Sequence, residues 1–324
     1  MANVIESLPI LVLYPHARCN CRCVMCDIWK NTDATELTAE QLESHLQAIE
    51  ELRVRWVVFS GGEPLMHSDL FRLAEMLREK SIRVTVLSTG LLLKRHAHKL
   101  ATGVDDLIVS LDGPAAVHDE IRRVPGAFSA LQDGVREVKR WNPLLPISAR
   151  CTVQKRNHAS IQETASTAKE LGLASISFLA ADLTSEAFNR PQPWGAVRQS
   201  QIALSVDEIG TLEYELDSLD ETWRSTGFVL ESGEKLQRIA THFKAHLGIC
   251  KPVAPKCNAP WVSAVVEADG TVRPCYFHPP IGSLRSQSLP KVLNSFEAQR
   301  FRASLDVSSN PVCRRCVCSL HLQQ

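Results

Sequence analysis

With Lys+Arg 36 against Asp+Glu 36 over 324 residues, the chain carries no formal net charge, which argues against nucleic acid or an anionic membrane held by bulk electrostatics. Hydrophobic residues at 44% and charged ones at 22% are the proportions of a soluble globular protein with enough sequence to bury a core. No apolar run approaches membrane-spanning length, and the first residues show neither a basic stretch nor a small-residue cleavage site, so the expected location is cytoplasmic.

In chain order, short β-like runs alternate with longer amphipathic ones. The run 8–14 reads as a strand, followed by a cysteine-rich loop and a helix over 38–52 with Thr38 as N-cap. Strand 55–60 precedes a helix over 68–80, capped by Ser68 or Asp69, and strand 83–88 precedes a helix over 94–101. Strands over 105–112 and 147–153 are each followed by a helix, over 126–141 and 160–172, and 175–180 closes the series. Strand–helix units repeated this way imply a parallel sheet with right-handed crossovers. A doubly wound sheet and an incomplete barrel both fit, and periodicity alone does not choose between them.

Past residue 181 the pattern changes. The stretch 181–195 is loop-like, 205–223 and 232–248 look helical, and 263–277 reads as a hairpin turning at Asp269-Gly270. A helix is expected over 289–305. Histidines are scattered, and the i, i+4 pair His242/His246 reads as a solvated helix face.

The 11 cysteines are unevenly placed. Cys19, Cys21, Cys23 and Cys26 lie near the start, and Cys250, Cys257, Cys275, Cys313, Cys316 and Cys318 near the end. Cys151, inside an apolar run, reads as a packed core thiol. Thiols in a reducing compartment are not expected to form a disulfide framework, so two clusters at opposite ends read as two metal sites.

The first cluster has the frame Cys19-x3-Cys23-x2-Cys26 after a first strand, with "SGGEPL" (60–65) after the second strand and "VSLDGP" (109–114) at the end of the fourth. In this order the motifs resemble the radical S-adenosylmethionine (SAM) superfamily. The resemblance covers about residues 8–180 and implies a partial (β/α)6 TIM-like barrel. It implies that Cys19, Cys23 and Cys26 hold a [4Fe–4S] cluster whose fourth iron is left for SAM. Gly61, Gly62 and Glu63 would meet the SAM ammonium, Ser110 and Asp112 its ribose, and Arg122 its carboxylate, with neighbouring Arg123 a close alternative. Glycine there would let the backbone approach the ligand closely. Two departures stand out: Met25 occupies a position commonly aromatic in the family, and Cys21 lies outside the frame and is read as a bystander.

The second group resembles the family's auxiliary-cluster extension, SPASM, in its truncated Twitch form. That implies a second [4Fe–4S] cluster on Cys257, Cys275, Cys313 and Cys316, with Cys250 or Cys318 able to replace a ligand. A four-thiolate zinc site has compatible spacing. The expected organisation is a barrel over 1–200, a helical connector over 201–250 and a β-hairpin/helix auxiliary domain over 251–324. The implied activity is reductive cleavage of SAM and hydrogen abstraction from a small molecule or peptide, with a flavodoxin or ferredoxin as electron donor. A non-catalytic SAM and iron–sulfur binding or sensing protein is the alternative.

Overall fold

The β-branched runs of the first half all form strands: β1 Ile10–Leu13, β2 Trp56–Phe59, β3 Arg83–Ser88, β4 Asp106–Ser110, β5 Ile147–Val153 and β6 Ser175–Ala180. The computed structural model describes residues 3–223 and 225–323. Between the strands run α1 Ala39–Glu51, α2 Leu70–Glu79, α3 Leu93–Gly103, α4 Ala115–Arg122, α5 Ala127–Trp141 and α6 Ile161–Glu170. Thr38 caps α1 in a capping box with Gln41. Asp69 is the cap residue of α2, while Ser68 turns its hydroxyl to Glu36. Helix α4 is an element that the periodicity did not show, because its eight residues give little more than two turns of pattern.

Strands β1 to β6 are parallel neighbours in sequence order. The sheet does not close into a barrel. Instead β1 pairs on its other side, also in parallel, with β7 Ser263–Val266, which continues antiparallel into β8 Thr271–Arg273 and β9 Gly282–Ser283. The hairpin turns at Gly270, φ +85°, as the Asp-Gly pair predicts. At the opposite edge, Ile176 of β6 exchanges backbone hydrogen bonds with Phe228 and Leu230, which covers strand groups otherwise open to pairing.

After β6 come α7 Ala196–Ser200, α8 Val206–Trp223 and α9 Gly233–His246, and further on α10 Ala259–Val262, α11 Leu289–Leu293, α12 Phe296–Ser304 and α13 Pro311–Arg314. The single helix expected over 289–305 is two. Ser295 caps α12 by accepting from Ala298 N–H, and the Asn294 side chain leaves the helix to bond both the N–H and C=O of Ile5. Arg302 reaches the Asn3 carbonyl, so the chain's start is held by its end. One apolar core, running from Ile5 to Val317, spans all of these parts. Because the strands from β1 to β7 run parallel, their C-terminal ends share one rim, and the loops carrying the motifs gather there.

Candidate functional site

The cysteine loop leaves β1 and is held from two sides. Arg22 N–H and Val24 N–H donate to the carbonyls of Arg122 and Ile121 in the last turn of α4, at 3.2 and 3.0 Å. On the other flank Glu63 N–H donates to the Arg18 carbonyl at 2.8 Å. A Cβ on Gly62 would lie 1.9 Å from the Arg18 oxygen, and one on Gly61, whose φ is +99°, would lie 2.9 Å from the Tyr14 ring. In this structure the two glycines therefore bring the second-strand loop against the cysteine loop.

Cys19, Cys23 and Cys26 face one another closely enough to interact electrostatically. Burial pushes Cys19 and Cys26 up to about 12, partly offset at Cys19 by the Cys21 N–H. Cys23 goes the other way, to about 7: the Cys21 thiol hydrogen-bonds it and, against the cost of burial, the Arg122 guanidinium adds its charge. Arg122 is buried, with Nη1 3.5 Å from Cys23 Sγ and Nη2 2.5 Å from Asp112 Oδ2. Its neighbour Arg123 takes the left-handed C-cap position and is exposed. Of the two arginines, Arg122 is the one brought to the cysteines.

Asp112 is fully buried. Its Oδ1 accepts from Thr152 N–H at 2.9 Å, its carbonyl accepts from the Asn157 amide, and its N–H donates to His118 Nδ1. Both carboxylate oxygens thus face protein groups. Ser110 ends β4, half-buried, in register with Arg150. Glu63 is also fully buried, and burial holds its carboxyl above the usual range. It accepts from Thr89 N–H (2.5 Å), Thr89 Oγ1 (2.6 Å), Ser88 Oγ (3.0 Å) and Leu65 N–H (3.0 Å). The carbonyl of Glu63 accepts from His16 Nε2, whose other ring nitrogen accepts from Arg18 N–H, which sets the tautomer.

Several site residues escaped the sequence reading. Ser88 and Thr89 hold Glu63, and Thr89 Oγ1 also lies 3.1 Å from Asn20 Oδ1. Their signal was their place at the end of the third strand, on the same rim as the motifs. The segment 181–195 is irregular as expected, yet it lies across the cysteine loop. Arg190 donates to the Met25 carbonyl, pairs with Asp182 at 2.5 Å and stacks on Trp194 at 3.6 Å, while Trp194 Nε1 donates to Asp27. At the end of β5, Gln154 is fully buried with both amide atoms unpartnered among the described residues, as is Arg122 Nε. Orphaned buried polar atoms on this rim fit a polar ligand.

Cys257, Cys275, Cys313 and Cys316 line one small cavity, walled otherwise by apolar residues such as Pro260, Phe277 and Val312. Asn310 caps α13 by accepting from Val312 and Cys313 N–H, and His278 Nε2 lies 3.3 Å from Cys313 Sγ. Burial raises Cys275 and Cys313 to about 11 and Cys316 further. Cys250 lies elsewhere, its thiol toward the Thr241 carbonyl. Cys318 lies outside the cavity but within electrostatic reach of Cys257, Cys275 and Cys316. Among the described residues no three Cys, His, Asp or Glu side chains converge as ligands of a single metal ion. An aromatic contact joins the two cysteine groups: Tyr276, next to Cys275, packs edge-on against Tyr14 of the first loop with centroids 5.7 Å apart.

Residues 13–173 match the model of the radical SAM superfamily, and residues 257–317 match that of SPASM, an iron–sulfur cluster-binding domain. The chain belongs to the radical SAM superfamily and carries a C-terminal SPASM domain, which implies SAM, a [4Fe–4S] cluster and further iron–sulfur binding as cofactors. An AdoMet-dependent heme synthase of Methanosarcina barkeri is 35% identical over 161 residues, 48% of this chain and 46% of that protein. The chain thus spans under half the length of that relative. Among solved structures, Streptococcus suis SuiB bound to S-adenosylmethionine has a TM-score of 0.68 at 15% identity, over 98% of this chain and 74% of that one. SuiB has also been solved bound to precursor peptide SuiA. Native anSMEcpe with bound AdoMet has a TM-score of 0.66 at 18% identity, over 95% of this chain and 86% of that one. At these identities the structures establish the shared fold. Among the described residues no helix is long and apolar enough to cross a membrane.

Proposed function

We propose that the protein is a radical SAM enzyme in which Cys19, Cys23 and Cys26 hold the [4Fe–4S] cluster that meets SAM. The observation that carries this reading is the buried triad Asp112–Arg122–Cys23, which stabilises one thiolate in a loop where two further thiols face it. When bound, the cluster supplies the electron that cleaves SAM to a 5′-deoxyadenosyl radical, which takes a hydrogen atom from the substrate. The chain's own residues prepare for it. Cys19 and Cys26, protonated in the metal-free protein, release their protons on binding iron. Glu63, held by Ser88 and Thr89, offers a carboxylate to the SAM ammonium beside the Gly61–Gly62 backbone. Ser110 would meet the ribose, with Asp112 beside it on the same motif. Asp112 acts by positioning Arg122, whose free Nε is a donor for a carboxylate.

The auxiliary site is read as one [4Fe–4S] cluster on Cys257, Cys275, Cys313 and Cys316, in a domain taken as 251–324 behind a barrel of 1–200 and a connector of 201–250. Four thiols lining a common cavity, within the span that matches an iron–sulfur cluster-binding domain, support a cluster in which each iron takes one thiolate over a tetrahedral zinc site. The substrate is a small molecule or a peptide, as the heme synthase and SuiB respectively suggest, and a flavodoxin or ferredoxin supplies electrons. The test is anaerobic reconstitution followed by SAM and dithionite. The reading requires 5′-deoxyadenosine and methionine; a fully iron-loaded protein that binds SAM without cleaving it would make this a binding or sensing protein instead.

A further inference from the structure

Outside both cysteine sites, a cavity of about 370 Å³ opens between α9, the loop after β6 and the tail around α13. This volume is in the range of small-molecule sites. Its wall is basic. Arg238, His242 and His246 follow one another at i, i+4 and i+8 along α9, and Arg314, Arg315 and Cys316 face them from the tail. Among the described residues no acidic side chain lines it.

The arginines are not held by carboxylates. Arg238 donates to the carbonyls of Cys316 and Val317, at 2.9 and 3.4 Å, and Arg314 donates twice to the Pro252 carbonyl. Among the described residues none of Arg238, Arg314 and Arg315 forms an ion pair. The nearby Asp182 is already paired with Arg190 at 2.5 Å. Gathering like charges around a void is unfavourable unless an opposite charge fills it, and two guanidiniums anchored by backbone carbonyls are pre-oriented for oxyanions.

We propose that this cavity binds a small organic polyanion, a molecule carrying at least two carboxylate or phosphate groups, with Arg238, Arg315 and Arg314 as its charge partners. The occupant would lie against Cys316, beside the auxiliary site. The inference rests on the cavity and its charges and holds whether or not the chemistry proposed above does.

The experiment is calorimetric titration of the reconstituted full-length protein with two probes at constant ionic strength, glutarate for the carboxylates and pyrophosphate for the phosphates. At least one should bind one-to-one, and Arg315→Gln and Arg238→Gln should each weaken it tenfold or more, whereas Arg140→Gln, on an exposed arginine of α5, should not. Stronger binding of glutarate assigns a carboxylate ligand and stronger binding of pyrophosphate a phosphate one. Arg238 also ties down the tail, so Arg315→Gln, at an exposed residue, decides the matter if Arg238→Gln disturbs folding. No saturable binding of either probe, or equal affinity in Arg315→Gln, overturns the proposal. Iron content and SAM affinity measured on the same preparations report the cluster and SAM sites separately, so failure here is distinguishable from failure of the radical SAM reading.

Discussion

The guanidinium of Arg122 bridges Asp112 and Cys23, 2.5 Å from the carboxylate and 3.5 Å from the sulfur, in a place closed to water. Its charge helps bring Cys23 to about 7. In Arg122→Met the midpoint for alkylation of Cys23 in the metal-free protein, followed by mass spectrometry, should move up from there toward the ordinary thiol range above 8. An unmoved midpoint would mean that the Cys21 hydrogen bond acts alone. Asp112→Asn leaves Arg122 buried with its charge uncompensated and should cost about 3–5 kcal/mol in denaturant unfolding.

Gly62→Ala forces a Cβ to within 1.9 Å of the Arg18 carbonyl oxygen, a backbone atom with no side chain to yield. The cysteine loop must shift. The expected result is loss of about four irons from reconstituted protein, one cluster, with the circular dichroism of the sheet retained. Gly172→Ala is the comparison. Its φ is +73° but nothing lies within 4 Å of its Cβ, so it should cost only about 1 kcal/mol of backbone strain and keep its iron.

For the auxiliary site, Cys275→Ser should lose about four irons while the first cluster, in another loop, remains. Cys250→Ser and Cys21→Ser should keep full iron, since Cys250 lies away from the cavity and Cys21 is a hydrogen-bond partner of Cys23 rather than a member of the frame. Cys318→Ser should also keep it. Loss of one cluster's iron there would exchange Cys318 for one of the four cavity thiols.

Acid stability should follow the buried imidazoles. His118 is fully buried, and burial, with the Arg122 charge adding to it, lowers its proton affinity to about 4 from 6.5. The unfolded chain therefore binds this proton first as pH falls. The stability His118 confers is complete above about 6.5 and drains away toward 4, a loss on the order of 3 kcal/mol. His16 and His242 are lowered to about 4 in the same way. Glu63 and Glu231, raised by burial, work in the opposite direction, so the measurement is a difference. Urea midpoints of metal-free His118→Asn should fall less steeply between pH 6.5 and 4 than those of the parent. Parallel curves would show that His118 is protonated in the fold.

Much of this architecture was legible in the sequence because its signals are local. Alternating β-branched runs, the Thr38 capping box and the Asp269-Gly270 turn each depend on neighbours a few residues apart, and they place six parallel strands and the hairpin. Cysteine spacing is local too, and it marked both candidate clusters. What the tertiary structure decided were contacts across long separations. The pairing of β1 with β7, some 250 residues on, joins the hairpin and the six parallel strands in one sheet, and no periodicity within either strand encodes its partner. Choosing Arg122 over Arg123 needed the end of α4, where the chain turns left-handed and leaves only the first facing the cysteines. That a Cβ at Gly61 or Gly62 would also strike the protein's own chain, at Tyr14 and Arg18, is visible only in the fold. Asp112 is read from the motif as meeting the ribose, and only the fold brings Arg122, Thr152 and Asn157 to it. The basic cavity joins α9 to residues about 70 positions later. Charge at a point in space is a sum over everything folded around it, and a neutral total gave no sign of it.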